Sequence, residues 1–365
     1  MNGVVPAHSL VTVLMPVYNG APYVGEAIES ILRQSFTDFE FLIINDGSTD
    51  GSADIVRTFA DQRIRLLEHT ANLGLIATLN HGLAVARGKY VARMDCDDIS
   101  LPQRLEKQCS FMDMHPEFGI CGTWVKTFDG AKDVTIRFPT EPDKIRCITM
   151  FNSCISHPSI MIRSAALKQY RIFYNPLYPH AEDYALWVEA MRHFQVANIG
   201  EVLHLYRQHP GQVTVQHLET QTQTIFSIRR ELIADLGVEP TDKDFALHCW
   251  LASPTLKYAR NLDQDVCREL MESCDRWFEK LRQANDERQI YPQPDFSAML
   301  FRQWFIICAQ VLIAKGPRML KYFRFLIHLD SLGLKRSYLL RHVMGIVATG
   351  AENLLGLQGK GKETR

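Results

Sequence analysis

The sequence predicts an α/β protein, a mostly parallel sheet flanked by helices, continued by a helical C-terminal extension. Two patterns predict it. Over the first hundred residues short apolar, β-branched runs alternate with stretches of helical periodicity, the order that builds a parallel sheet covered on both faces. Beyond about Val213 strand patterns stop and helical ones dominate.

Residues 10–17, LVTVLMPV, read as a buried strand that stops at Tyr18-Asn19-Gly20. A helix follows over 24–33, with Val24, Ala27, Ile28 and Ile31 on one face. The run FEFLII at 39–44 is a second strand, ending at Asn45-Asp46-Gly47-Ser48. A helix is expected over 52–59, a strand over 63–68 and a helix over 72–87; KYVARM at 89–94 is a fourth strand, running into Asp95-Cys96-Asp97-Asp98. Helices are then expected over 103–115, 143–152 and 183–194, with strands over 120–128, 159–162 and 202–207. The tail has helix breaks near 237–240, 291–294 and 316–317, where Gly and Pro cluster. Domain limits follow: 1–212 as one α/β domain, divided near residue 100 where the regular alternation ends, and 213–365 as the helical extension, a candidate for membrane-surface or oligomer contact.

The chain has 365 residues with a formal net charge of −1. From Lys315 to Arg365 ten Lys/Arg face three Asp/Glu, so the tail is basic and the body mildly acidic. An acidic body argues against nucleic acid as a partner. The basic, aromatic-rich stretch 315–345 either lies on an anionic membrane surface or packs on the domain with a solvated basic face. The apolar stretch 304–314 is too short to span a bilayer, which needs about twenty residues. Nine scattered cysteines without a C-x-x-C pair argue against a disulfide framework or a zinc site, and no signal peptide is read. The expected location is the cytoplasm, with the inner face of the membrane as its variant.

Open parallel sheets bind ligands beyond the carboxyl ends of their strands. Here three successive strand ends carry Tyr18 and Asn19, then Asp46, then Asp95 and Asp97. Three carboxylates in four positions, Asp95, Asp97 and Asp98, call for a compensating cation, and Mg2+ or Mn2+ suits oxygen donors of this kind; a solvated acidic turn is the alternative. Asp46 either accepts from a base or ribose, or caps the helix near Ser52. Asp183 opens a helix, where the positive end of the dipole favours its ionised form, as a general base requires; a plain cap is again the alternative. His209 either closes the metal site or is a turn histidine, and His157 either faces an acceptor or starts a strand. Gly211 to Thr214 suggests a lid.

Together, VTVLMPVYNG, NDGSTDGS, NLG with LNHGLAVARGKY, YVARMDCDDISLPQRLEKQ, HPSIMIR, EDYALW and YRQH resemble the family-2 glycosyltransferases, from about Val11 to His209. The resemblance implies a GT-A fold, Rossmann-like, and an inverting transfer of sugar from a nucleotide-diphosphate donor, UDP by family habit, to a hydroxyl acceptor on a saccharide or lipid-linked glycoconjugate. It implies that Pro16, Tyr18 and Asp46 hold the base, that Asp95 faces the ribose with Arg93 nearby, that Asp97 and His209 hold the metal, and that Asp183 is the base. Cys96 departs from the commoner Ala or Ser at the middle of the D-x-D element. A metal-dependent nucleotidyltransferase is disfavoured because the first strand end, PVYNG, carries no Lys or Arg. A non-catalytic sugar-nucleotide-binding protein is disfavoured by the joint presence of Asp95, Asp97, Asp183 and His209. Sugar, acceptor and oligomeric state are not encoded in any readable motif.

Overall fold

The computed structural model describes residues 9–212, 217–252 and 263–315. The chain divides into two compact units, one of Met1–Thr149 with Ser153–Ile228, the other of Met150–Asn152 with Arg229–Arg365.

In the first unit β1 (Val11–Val17), α1 (Val24–Leu32), β2 (Phe39–Asn45), α2 (Ser52–Arg57), β3 (Ile64–Glu68), α3 (Leu75–Val85) and β4 (Tyr90–Arg93) alternate as the periodicity predicts. The strands β3-β2-β1-β4 pair in parallel in that order. β1 and β2 are buried at every position because helices cover both faces, which is why they read as continuous apolar runs. Alternate residues feed two cores: Val13 and Met15 pack with Ile28 and Ile31 of α1, whereas Leu14 packs with Leu42, Leu79 and Trp187. On the second face α3 lies so close to β1 that a Cβ at Gly82 would meet Leu14 Cδ1 at 2.3 Å.

The rest of the sheet is mixed. β5 (Ile99–Ser100), α4 (Arg104–Met114), β6 (Phe118–Phe128), β7 (Thr135–Ile136), α5 (Pro142–Thr149), a 3-10 turn (His157–Ser159), β8 (Met161–Arg163), α6 (Ser164–Tyr170), α7 (Glu182–Ala190) and β9 (Gln195–Arg207) follow. The full order is β3-β2-β1-β4-β8-β6-β9-β5, with β7 on β6. β8 is antiparallel to both β4 and β6, and β6 and β9 are parallel. The two-residue strands β5 and β7, the one-turn 3-10 helix before β8 and the seven-residue α6 after it escape the sequence pattern because periodicity needs several residues to show. β9 also starts seven residues earlier than its apolar run, since its first half is read only through pairing with β6.

α8 (Leu218–Asp235) leads out of the first unit; α9 (Asp242–Leu251), α10 (Gln264–Arg288) and α11 (Asp295–Lys315) belong to the second. The breaks expected near 237–240 and 291–294 fall between these helices. Thr241 and Asp244 form a reciprocal capping box at α9. Asn285 accepts from Tyr291 N at 2.7 Å and donates to Tyr291 O at 3.0 Å, closing the α10–α11 turn. Trp277, Phe296 and Trp304 are buried, and Trp304 Nε1 donates to Asp275 Oδ1 at 2.6 Å. No described helix is long and apolar enough to cross a membrane. The expected break at 316–317, the basic stretch 315–345 beyond Lys315, and Val213 and Thr214 of the expected lid lie outside the described residues.

Candidate active site

The loops after β1 and β2 are fastened to each other. Asn19, at a left-handed φ of 51°, accepts from Thr49 N at 2.9 Å through Oδ1. Ser48 Oγ accepts from Asn19 N at 3.0 Å, Ser52 Oγ from Gly20 N at 2.9 Å, and Asp50 Oδ2 from Ala21 N at 2.9 Å. Pro16 is buried in β1, while Tyr18 is left 50% exposed at the strand end.

Asp46 follows β2 but does not cap α2, whose N-cap is Gly51 without a side-chain bond. Its Oδ1 accepts from Leu73 N at 2.9 Å and meets His69 Nδ1 at 2.8 Å; its Oδ2 accepts from Gly74 N at 2.9 Å. The carboxylate therefore fixes the loop between β3 and α3. A carboxylate offers about four lone-pair positions, and three are taken here.

After β4 the acids are treated differently. Arg93 grips Asp95 with both terminal nitrogens, at 2.6 and 2.5 Å. Asp97 Oδ2 lies 2.9 Å from His209 Nε2, just past the end of β9. Asp98 is buried, 2.8 Å from His204 Nε2, and accepts from Arg207 N at 2.9 Å. Oxygens of Asp95, Asp97 and Asp98 lie within 4.8 Å of one another. Burial and mutual repulsion push all three carboxyls above their ordinary range. Arg93 stays charged, held up by Asp95 against the cost of its burial; one guanidinium does not balance three acids. Asp98 already has both oxygens in use, and Asp95 is gripped in bidentate fashion. Asp97, with its side chain 26% exposed and Oδ1 unclaimed among the described contacts, is the carboxylate best placed to take a hard cation.

Asp183 lies in the first turn of α7, where its Oδ1 accepts from Tyr184 N at 2.7 Å. The helix-end argument alone favours an ionised carboxyl of ordinary acidity. The structure corrects this: burial outweighs the Tyr184 bond and the field of Arg93, and Asp183 is raised above its ordinary range. Neighbouring Glu182 is pushed up to about 7 by burial and by Asp183. Asp183 feels both Arg93 and Asp95, and the buried Tyr174 hydroxyl feels Arg93, Glu182, Asp183 and Asp95. Side chains from the ends of β4 and the start of α7 thus share one electrostatic environment. His157 is buried beside it, its Nε2 2.8 Å from Tyr174 Oη, in a 3-10 turn that leads to β8.

Several residues that shape the site were not singled out from the sequence. Arg207 donates from Nε to Asp97 O at 2.7 Å, pairs with Glu26 and Asp129, and lies over the Tyr23 and Phe128 rings at 4.9 and 4.4 Å. Arg104 is fully buried without a contacting carboxylate among the described residues; it donates to Arg93 O at 2.6 Å, Ile160 O at 3.1 Å and Gln108 Oε1 at 3.0 Å. Burial pulls its guanidinium down to about 9. Its Nη1 lies 3.4 Å from His204 Nδ1, so that nitrogen is the acceptor and Nε2–H donates to Asp98. Arg104 and Gln108 stand four apart on the buried face of α4 beside Leu105 and Met112. A polar pair at that spacing on an apolar stripe was the available signal.

A sheet with a parallel half, carrying a carboxylate-rich loop at one strand end and a half-buried acid at a helix start, is the arrangement expected of a glycosyltransferase of the GT-A type. The model of the family described as Glycosyl transferase family 2 matches residues 12–171. The chain is 33% identical to an uncharacterised glycosyltransferase of Haemophilus influenzae over 61% of this chain and 73% of that protein. It is 30% identical to the O-antigen biosynthesis glycosyltransferase WbnJ of Escherichia coli over 55% of this chain and 80% of that protein. The chain belongs to glycosyltransferase family 2 and is an enzyme of that class. In fold it is similar to S. aureus TarS 1–349 in complex with UDP-GlcNAc, at a TM-score of 0.54 and 18% identity, covering 89% of this chain and 93% of that one.

Proposed function

We propose that residues 1–212 catalyse an inverting, metal-dependent transfer of a sugar from a UDP-sugar to a hydroxyl of a saccharide or lipid-linked acceptor, in polysaccharide or glycoconjugate synthesis. The carrying observation is the cluster of Asp95, Asp97 and Asp98, whose oxygens lie within 4.8 Å of one another, gripped by Arg93, a cation whose charge also acts on Asp183. The UDP assignment draws on the TarS complex, and the polysaccharide assignment on the O-antigen relative.

The donor set fits a hard divalent cation, Mg2+ or Mn2+: exposed carboxylate oxygen on Asp97, a neighbouring imidazole on His209, and excess negative charge that a cation would relieve. When bound, such an ion neutralises charge on the departing diphosphate. Asp97 and His209 would hold it. Tyr18 and Pro16 border the base end, and the remaining acceptor position on Asp46 is open to a base N–H. Asp95, oriented by Arg93, faces the ribose. Asp183 takes the proton of the acceptor hydroxyl as that oxygen bonds to the anomeric carbon. The carbon–oxygen bond to the diphosphate breaks in the same step, the electron pair leaves with the nucleotide, and the configuration inverts. The upward shift of Asp183 brings its basicity nearer to what proton transfer at neutral pH uses.

A panel of nucleotide sugars, assayed for metal-dependent hydrolysis and for transfer, tests this assignment. EDTA should stop turnover and Mg2+ or Mn2+ should restore it. Undiminished turnover in EDTA would remove the metal from the reaction.

A further inference from the structure

At the opposite end of the sheet from the acidic loop lies a cavity of about 560 Å3. It is walled by the starts of β6 and β9, by α6, by the turn after α7 and by Arg146 of α5. β9 links the two places: it starts at this cavity with Gln195 and ends at Arg207 beside Asp97, thirteen residues of about 3.3 Å each.

The lining is cationic. Arg146, Arg163 and Arg192 contribute guanidinium groups, against Glu117 as the acid in the wall. Arg192 pairs with Glu189 at 2.7 Å, and Glu117 lies 3.4 Å from His115. Arg163 is spent on neutral oxygens: its donors reach Phe118 O, Met112 O, His115 O and Tyr90 Oη, so its charge meets no contacting carboxylate among the described residues. Arg146 makes no hydrogen bond or ion pair among the described residues and is half-buried in the wall. Beside these cations Tyr170, 39% exposed, stacks on His193 at 4.5 Å, so that the two rings form one aromatic patch in the wall, with Gln169 as a polar neighbour. A volume of this size suits a ligand of one or two sugar rings. Guanidinium groups match carboxylate and phosphate geometry.

We propose that this cavity is a second binding site, for a glycan segment bearing an oxyanion, carboxylate or phosphate, with the anion on Arg146, the charge of Arg163 adding to its field, and a sugar ring against the Tyr170–His193 pair. The glycan half of this assignment rests on the transfer reaction proposed above; the anion half does not. Such a site would hold an acceptor away from the reacting end and lower KM for long anionic acceptors.

Calorimetric titration of the full chain tests it with a hexauronate, glucose 1-phosphate and an uncharged hexaglucan, each with and without saturating UDP and Mg2+. The expected result is binding of the hexauronate, the sugar phosphate or both, which identifies the anion. The hexaglucan should bind at least tenfold more weakly, and UDP should not compete. Arg146→Gln should weaken anionic-ligand binding about tenfold, and Ala166→Glu, which places a carboxylate in the cavity wall, should do the same. Equal binding of the neutral glycan, no binding at millimolar ligand, displacement by UDP, or indifference to both substitutions would overturn the site. Donor hydrolysis is measured on the same samples. Loss of hydrolysis with anion binding intact would count against the transfer chemistry of the cleft and not against this cavity.

Discussion

Two strand ends of one sheet handle carboxylates in opposite ways. At the end of β2 a single acid, Asp46, meets two backbone amides and His69. Its two oxygens are shared among three partners and the loop between β3 and α3 is fixed. At the end of β4 three acids crowd together and share Arg93, His204, His209 and a backbone amide. Their carboxyls are driven up rather than satisfied. The same residue type is a structural brace where donors outnumber oxygens and a cation-seeking group where oxygens outnumber donors. Acid count at a strand end therefore says less about function than the local balance of donors and acceptors.

The sharpest test removes the acids one at a time. Asp183→Asn should lower transfer by about a hundred- to ten-thousandfold, the usual contribution of one positioned base, with UDP affinity by calorimetry little changed. Asp97→Asn should instead cost metal-dependent donor binding. If the two variants failed in the same way, the division of labour between base and metal ligand would collapse.

Arg207 tests whether the acidic loop is held in place from outside. It grips the Asp97 carbonyl without touching the carboxylate. Arg207→Gln should weaken Mn2+ binding about ten- to a hundredfold, the range for residues that orient a metal ligand. Titration of Mn2+ by its paramagnetic signal reads this directly, and added Mn2+ should recover turnover.

Asp46→Ala sharpens the contrast from the other side. Leaving Leu73 N without an acceptor, while Gly74 N keeps Asn72 Oδ1 at 2.8 Å, should cost about 1–3 kcal/mol of stability, seen in chemical denaturation. Metal affinity should be unchanged. A variant of full stability would remove the brace and leave Asp46 its role towards the base alone.

The smallest effect concerns Glu182. Its folded-state value of about 7 lies above the ordinary glutamate value. The folded protein then holds a proton that the unfolded chain releases from about pH 4.3 upward. Its contribution to stability is present on the acid side and lost as pH rises towards 7. Glu182→Gln should abolish that decline and raise the melting temperature by about 2–4 °C at pH 8, with little change at pH 4.5. A melting temperature that tracked wild type at both pH values would place the Glu182 carboxyl in water.

The sequence by itself determined the parallel half of the sheet, the helices that cover it and the strand ends where chemistry gathers. Hydrophobic periodicity is local information, and β1, α1, β2 and β4 carry it within a few residues each. It also marked Asp95, Asp97, Asp183 and His209 as candidates, through motif order. Only the tertiary structure decided what each polar group does. Asp98 became a buried partner of His204, 106 residues away, and Arg104 a clamp on two backbone carbonyls. Arg207 reached back 110 residues to Asp97 O, and burial raised Asp183 against the pull of its helix end. Hydrogen-bond partners and desolvation depend on what the fold packs alongside a residue, and no window along the chain contains those neighbours.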